Sequence, residues 1–117
     1  MRLVDVTSGR HLASRVTLAA SPWTRLVGWL FRARVESDEG LWFPACGAIH
    51  TLGMRTAIDL IFLDRDDRVC WTQAGVPPGR QFISCRSAHA LLEMGPGFLA
   101  RCKVPIGHVL RLEPGSV

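Results

Sequence analysis

A histidine and two carboxylates in the middle and late parts of the chain are the first candidates for chemistry. Asp59 lies inside the apolar run 58–63 and Glu93 inside the apolar run 90–94, while His50 precedes both. A carboxylate beside an imidazole sets its tautomer and favours its protonated form, which is the arrangement of a general base. The alternative, which the sequence favours, is that each carboxylate fixes a loop by accepting hydrogen bonds from backbone N–H groups.

Together with two neighbouring side chains, these residues predict a polar cluster among apolar strands. The favoured interpretation is a non-catalytic ligand-binding or accessory module whose ligand-binding residues are His50, Thr51, Met54, Asp59 and Glu93. The alternative is an enzyme that uses His50 with Asp59 or Glu93 as an acid–base pair. The sequence contains no Gly-x-Ser-x-Gly elbow and no phosphate-binding or dinucleotide-binding fingerprint, so it favours a binding module over an enzyme.

Metal binding is a second alternative. Cys46, His50 and Met54 recur at four-residue intervals, and their thiolate, imidazole and thioether would form a soft ligand set that suits Cu(I). Cys85 and His89 repeat the Cys-x₃-His spacing. Cys46, His50, Cys85 and His89 are therefore candidates for a tetrahedral zinc site, although structural zinc sites usually show tighter spacing. Free cysteines are more often small buried hydrophobic residues, so no metal and no cofactor is predicted.

The elements that must position these residues are mainly strands. The run 58–63 is the strongest of them; a polar turn at 64–68 follows it, and an apolar segment at 69–74 completes a hairpin pattern. Further strands are expected at 3–6, 11–19, 41–43, 81–85, 89–94 and 109–112. On the second of these, Leu12, Ser14, Val16 and Leu18 are expected to share one face.

Two helices are expected beside the strands. Ser21 and Pro22 are typical of a helix start, and the apolar residues that follow at helical spacing predict a helix over 22–31. A turn at 95–97 leads into a short helix near 97–101. Many short strands with Gly and Pro between them and little helix predict an all-β fold with minor helix: a single-domain β-sandwich or small barrel over residues 1–117.

Composition and charge exclude several classes of protein. The chain has 117 residues, 48% of them hydrophobic, and a formal net charge of +4, which excludes a disordered chain. Thirteen of the 14 basic residues are Arg, but they are scattered from Arg2 to Arg111, which disfavours nucleic acid as a partner. A small ligand or a protein is the expected partner, and the oligomeric state is not indicated.

The N-terminal residues also bear on location. They lack the apolar segment of a secretory signal, and no apolar stretch approaches the roughly 18 residues that a membrane-spanning helix needs. A cytoplasmic location with reduced cysteines is therefore expected.

One stretch resembles a known family. The residues that show it are the segment 28–32, the segment 39–43, Cys46-Gly47-Ala48-Ile49-His50-Thr51 with Met54, the strand 58–64, Leu92-Glu93, Gly97 and Gly107. Over about residues 16–112 this order resembles the prokaryotic Domain of Unknown Function 192 family, in the branch that has Ile-His-Thr where many members have Trp-Met-x-Asn-Thr. The resemblance implies one jelly-roll-like or sandwich domain and no established activity.

Overall fold

Short β-strands make up most of the regular structure. The structure is a computed structural model that describes residues 1–19, 35–49, 51, 54–80 and 83–115. In these ranges ten strands and one helix follow each other in chain order: β1 (Arg2–Asp5), β2 (Arg10–Ala13), β3 (Arg15–Leu18), β4 (Glu39–Phe43), β5 (Ala48–Ile49), β6 (Ile58–Leu63), β7 (Val69–Val76), β8 (Ile83–Ser84), β9 (Ala90–Met94), α1 (Phe98–Arg101) and β10 (Leu110–Glu113).

A five-stranded sheet in the order β3-β4-β9-β6-β7 forms the centre of the molecule. Its pairs are antiparallel except for β3 and β4, which run parallel. All six residues of β6 and all five of β9 are buried. Because both faces of this sheet are covered, these two strands are almost continuously apolar, so a charged residue within them is a marked exception.

The sheet separates two apolar clusters, which we call the first core and the second core. The first core includes Ile61 and Leu63 of β6 and is covered by a three-stranded sheet, β10-β1-β2, through residues such as Leu3 and Leu110. The second core lies on the opposite face, where Leu60 and Phe62 pack with residues from the connections. Residues i and i+2 of a strand share a face, so each of these pairs marks one side of β6.

The second core is covered by the segments around the small β5-β8 sheet. Val35, Met54 and Ile83 are buried in it, and Cys46 and Cys85 pack against its edge. A close backbone contact also occurs near it, where a Cβ on Gly95 would overlap the carbonyl oxygen of Glu36. The segment before β4 therefore lies directly against the turn after β9.

The predicted fold class is confirmed. The described residues form an all-β sandwich with one short helix, and none of their sheets closes into a barrel. The helix expected near 97–101 is α1, whereas the one expected over 22–31 lies outside the described residues. In the part of the chain that the structure covers, no helix is long and apolar enough to cross a membrane.

The single strand expected over 11–19 is wrong. The chain bends at Ser14 and passes from β2 in the three-stranded sheet to β3 in the five-stranded sheet. Alternation does not continue through this change of sheet. Leu12 and Val16 are buried in the first core, but Ser14 is exposed and Leu18 is 47% exposed.

Candidate functional site

Asp59 is buried in the centre of the molecule, and the structure gives it two backbone donors. Its side chain is on the first-core side of β6 and only 1% exposed. Its Oδ1 accepts the N–H of Gly75 at 2.8 Å, and its Oδ2 accepts the N–H of Leu99 at 2.9 Å. The interpretation that Asp59 accepts hydrogen bonds from backbone N–H groups is therefore confirmed.

One donor lies in a bulge of β7 and the other in the first turn of α1. Ile58 pairs with Val76 but Leu60 pairs with Gln73, so β7 has an extra residue opposite Asp59, in a bulge where Gly75 has φ +62°. Leu99 lies in the first turn of α1, where the N-cap Gly97 has no side chain to cap the helix. Asp59 supplies the acceptor that each of these backbone groups needs.

Glu93 is equally buried but faces the other way. In β9 it pairs with Leu60 on one side and Leu41 on the other, and both leucines belong to the second core. Its exposed fraction is 0%. A carboxylate is thus enclosed in an apolar layer, where charged groups are rare unless they are hydrogen-bonded or have a function.

The structure does not bring the two predicted carboxylates together. Asp59 pairs with Met94, and Leu60 pairs with Glu93, so Asp59 and Glu93 are on opposite faces of one sheet. One site cannot contain both carboxylates. His50 lies outside the described residues.

The connection before β6 provides two more predicted site residues, and both have structural contacts. Thr51 is fully buried; its hydroxyl donates to the carbonyl of Pro77 at 2.8 Å and accepts the N–H of Arg80 at 2.8 Å. Its backbone also bonds to Arg80 and Gly79. Thr51 therefore fixes the turn after β7, while Met54, 6% exposed, fills the second core.

Three of the four proposed zinc ligands, Cys46, Cys85 and His89, are among the described residues, and backbone hydrogen bonds link the segments that contain them. The N–H of Cys46 bonds to the carbonyl of His89, and that of Cys85 bonds to the carbonyl of Gly47. The Cys46 thiol, however, donates to the carbonyl of Ala48 at 3.2 Å. Among the described residues, no group of three or more His, Cys, Asp or Glu side chains is arranged to hold a metal ion.

A cleft opens beside the second core. It has a volume of about 480 Å³, and its lining consists of Val35, Glu36, Ser37, Thr56, Pro96, Gly97 and Arg101. Val35 is itself a second-core residue, so the apolar layer around Glu93 reaches the cleft wall. Arg101 extends from α1, with its guanidinium 5.6 Å from the centre of the Phe98 ring and one nitrogen 3.5 Å from the carbonyl of Ser37.

Comparison with known proteins settles the family. The model of the DUF192 family, described as an uncharacterised ACR, matches residues 4–112. The chain belongs to this family. None of the curated proteins compared with the chain matches it.

Two solved structures resemble this Domain of Unknown Function 192 chain. A protein of unknown function from Novosphingobium aromaticivorans is 26% identical, with a TM-score of 0.79 over 96% of this chain and 84% of that one. A protein from Sinorhizobium meliloti, provisionally named a transcription regulator, is 24% identical, with a TM-score of 0.77 over 94% of this chain and 89% of that one. The second likeness shows the fold alone.

Sequence reasoning missed one buried carboxylate of this Domain of Unknown Function 192 chain. Asp5, fully buried in β1, lies 2.8 Å from Nδ1 of His108 and 3.7 Å from a guanidinium nitrogen of Arg10. Burial alone raises the pKa of Asp5, but hydrogen bonds from His108 and Ser8 outweigh it and hold that pKa below its usual value. The available signal was a charged residue within an apolar strand, as at Asp59.

Proposed function

We propose that this chain is a non-catalytic module that binds a small polar molecule beside the second core. The observation that supports this most is the cleft of about 480 Å³, a size typical of small-molecule sites. Of the predicted residues, His50 is kept in this proposal as a ligand contact. Met54 and Glu93 belong to the buried layer behind the cleft, and Thr51 holds the turn after β7. Asp59 belongs to the scaffold of the site because both of its oxygens are bonded to the backbone.

The cleft lining indicates the chemistry of the ligand. Arg101 offers a planar fork of N–H donors that suits a carboxylate or a phosphate. Ser37 and Thr56 carry hydroxyl groups that can donate and accept, and Glu36 is an acceptor for an amino or hydroxyl group. A small molecule with one anionic group and at least one hydroxyl or amino group matches this set.

Two features support binding rather than catalysis. Both oxygens of Asp59 accept backbone N–H groups, one in the bulge of β7 and one at the start of α1, and the side chain is buried. Glu93 is fully buried at the centre of an apolar face, away from bulk water. The acid–base alternative then depends on His50 and Glu93 alone.

The direct test is a thermal-shift screen of the full chain with carboxylates, phosphate monoesters, amino acids and uncharged sugars. A ligand present at about 100 times its Kd stabilises a protein by about 2.7 kcal/mol, which is readily measured as a rise in Tm. We expect an anionic compound to raise Tm and to be recovered unchanged by NMR. Chemical turnover of the compound would instead support the acid–base alternative.

Matched variants locate the binding site. Arg101→Gln removes the cationic group from the cleft, whereas Arg65→Gln removes one from the exposed turn between β6 and β7. We expect the ligand-dependent rise in Tm to be lost in Arg101→Gln and retained in Arg65→Gln. A rise that survives Arg101→Gln, or the absence of any stabilising compound, contradicts the proposal.

A further inference from the structure

Two thiols that no sequence motif connects meet at the edge of the second core. The Sγ atoms of Cys70 and Cys85 are 3.7 Å apart, although the residues lie on β7 and just after β8. Both side chains are half-buried and pack against the second core. Cys70 belongs to the edge strand of the central sheet and Cys85 to the connection after β8, so a bond between them would join that edge to the layer that covers it.

A bulge in the strand directs Cys70 toward this contact. Phe62 pairs with Trp71 and Leu63 pairs with Val69, so Cys70 is an additional residue in β7 that pairs with no residue of β6. Its thiol donates to the carbonyl of Phe62 at 3.3 Å. Bulges change the direction of a side chain at a defined point, and here the change places the thiol against Cys85.

Cys85 is held in place by its own backbone and has exposed neighbours. Its N–H bonds to Gly47, and its carbonyl accepts the N–H of Ala88. Ser84 and Arg86 on either side of it are exposed, and its thiol is 3.7 Å from the hydroxyl of Ser87. Cys85 thus lies in an exposed connection, while Cys70 lies within β7, and both side chains are half-buried.

We propose that Cys70 and Cys85 form a reversible dithiol–disulfide couple that reacts with small-molecule disulfides. The Cys85 thiolate attacks one sulfur of the reagent RSSR, its S–S bond breaks, and RS⁻ leaves. Cys70 then loses its proton and attacks the Cys85 sulfur of the mixed disulfide, which releases the second RS⁻. The two protein thiols are oxidised, and RSSR is reduced to two RSH that take up both protons.

The geometry suits this order. To form the bond, the two sulfurs must approach from 3.7 Å to about 2.05 Å. Burial raises the pKa of the Cys70 thiol, which makes it the poorer first nucleophile and suits it to the second, intramolecular step. The bond would close a segment of the chain from 70 to 85 and raise Tm by about 10 °C.

The test uses the reduced full chain and a series of ratios of oxidised to reduced glutathione. Trypsin cuts after Arg68, Arg80 and Arg86, so Cys70 falls in the peptide 69–80 and Cys85 in the peptide 81–86. We expect the intact mass to fall by two hydrogen atoms, titratable thiols to fall from four to two, and these two peptides to be linked. Reduced glutathione in excess should restore all four thiols.

Variants separate the two roles. Cys70→Ser should accumulate a glutathione adduct on the peptide 81–86, because the thiol in contact with Cys85 that would displace glutathione has been removed. The double variant Cys46→Ser, Cys102→Ser should form the same linked peptides as the unmodified chain. Four thiols at every glutathione ratio, or a linkage through Cys46 or Cys102, would overturn the proposal without any need for a variant to fold.

Discussion

Replacing Asp59 by Ala should destabilise the protein more than any comparable change at an exposed aspartate. The substitution removes the acceptor from the N–H of Gly75, 2.8 Å from Oδ1, and from the N–H of Leu99, 2.9 Å from Oδ2. Hydrogen bonds to charged groups contribute about 1.5–3 kcal/mol each, so the two together account for roughly 3–6 kcal/mol. The free energy of unfolding of such domains is usually only about 5–15 kcal/mol, so the variant should retain little of its stability.

Asp59→Asn should remove only part of the stabilisation that Asp59 provides. The amide keeps one oxygen as an acceptor but turns an NH₂ group toward a second backbone donor, so we expect a loss of about 2–4 kcal/mol. Urea denaturation followed by tryptophan fluorescence measures both variants, and the midpoint should fall while the slope stays constant. Trp71 lies on β7, the strand that contains the bulge at Gly75, and reports on this region.

The matched control is Asp66→Ala in the exposed turn between β6 and β7. The same chemical change there should alter the free energy of unfolding by no more than about 0.5 kcal/mol. If Asp59→Ala costs less than about 1 kcal/mol, the assignment of Asp59 to the scaffold is wrong. A stabilised Asp59→Ala variant would point instead to a functional carboxylate, because active-site residues are often kept at the expense of stability.

Three further predictions concern other parts of the fold. Hydrogen bonds outweigh burial and keep the pKa of Asp5 low in the folded protein. Ionised Asp5 therefore stabilises the fold fully above its unfolded pKa of about 3.9, and this contribution is lost as pH falls through the folded pKa. Urea titrations across acidic pH should show this loss of stability, and Asp5→Asn should make the free energy of unfolding less dependent on pH. Gly95→Ala places a Cβ into a backbone carbonyl and should cost several kcal/mol by thermal denaturation, whereas Gly115→Ala, with no atom near its Cβ position, should be neutral; equal melting temperatures would refute the close contact. Thr51→Val removes a buried hydroxyl with two hydrogen bonds and should lower the free energy of unfolding by about 2–4 kcal/mol. Thr17→Val, at an exposed position, should leave it unchanged, and an unchanged urea midpoint for Thr51→Val would show that Thr51 has no structural role.

The sequence predicted the elements that depend on local pattern. The hairpin of β6 and β7 followed from an apolar run, a polar turn and a second apolar run. The break at Ser14 was not predicted because it depends on which sheet each half of the segment joins. Alternation describes a strand within one sheet and contains no information about a change between sheets.

The contacts of the buried polar groups could be predicted only in part. That Asp59 needs donors follows from its position in an apolar strand, but the donors come from a bulge and a helix start that only the tertiary structure brings near. Asp5 and His108 are 103 residues apart in the chain, so no spacing rule joins them. Cys85 was grouped with His89 by spacing, whereas its thiol contacts Cys70 because a bulge adds one residue to β7.

The separation of Asp59 and Glu93 onto opposite faces of the sheet could not be predicted from the sequence. Alternation alone places Asp59 with Ile61 and Leu63, and it places Glu93 with Leu91, but it does not say which of these sets share a side of the sheet. The register between β6 and β9 decides this, since Leu60 pairs with Glu93 and Asp59 with Met94. A shift of one residue would put both carboxylates on one face, close enough to repel each other or share a proton. In the observed register each carboxylate lies in a separate apolar cluster, so the two cannot act together on one bound molecule.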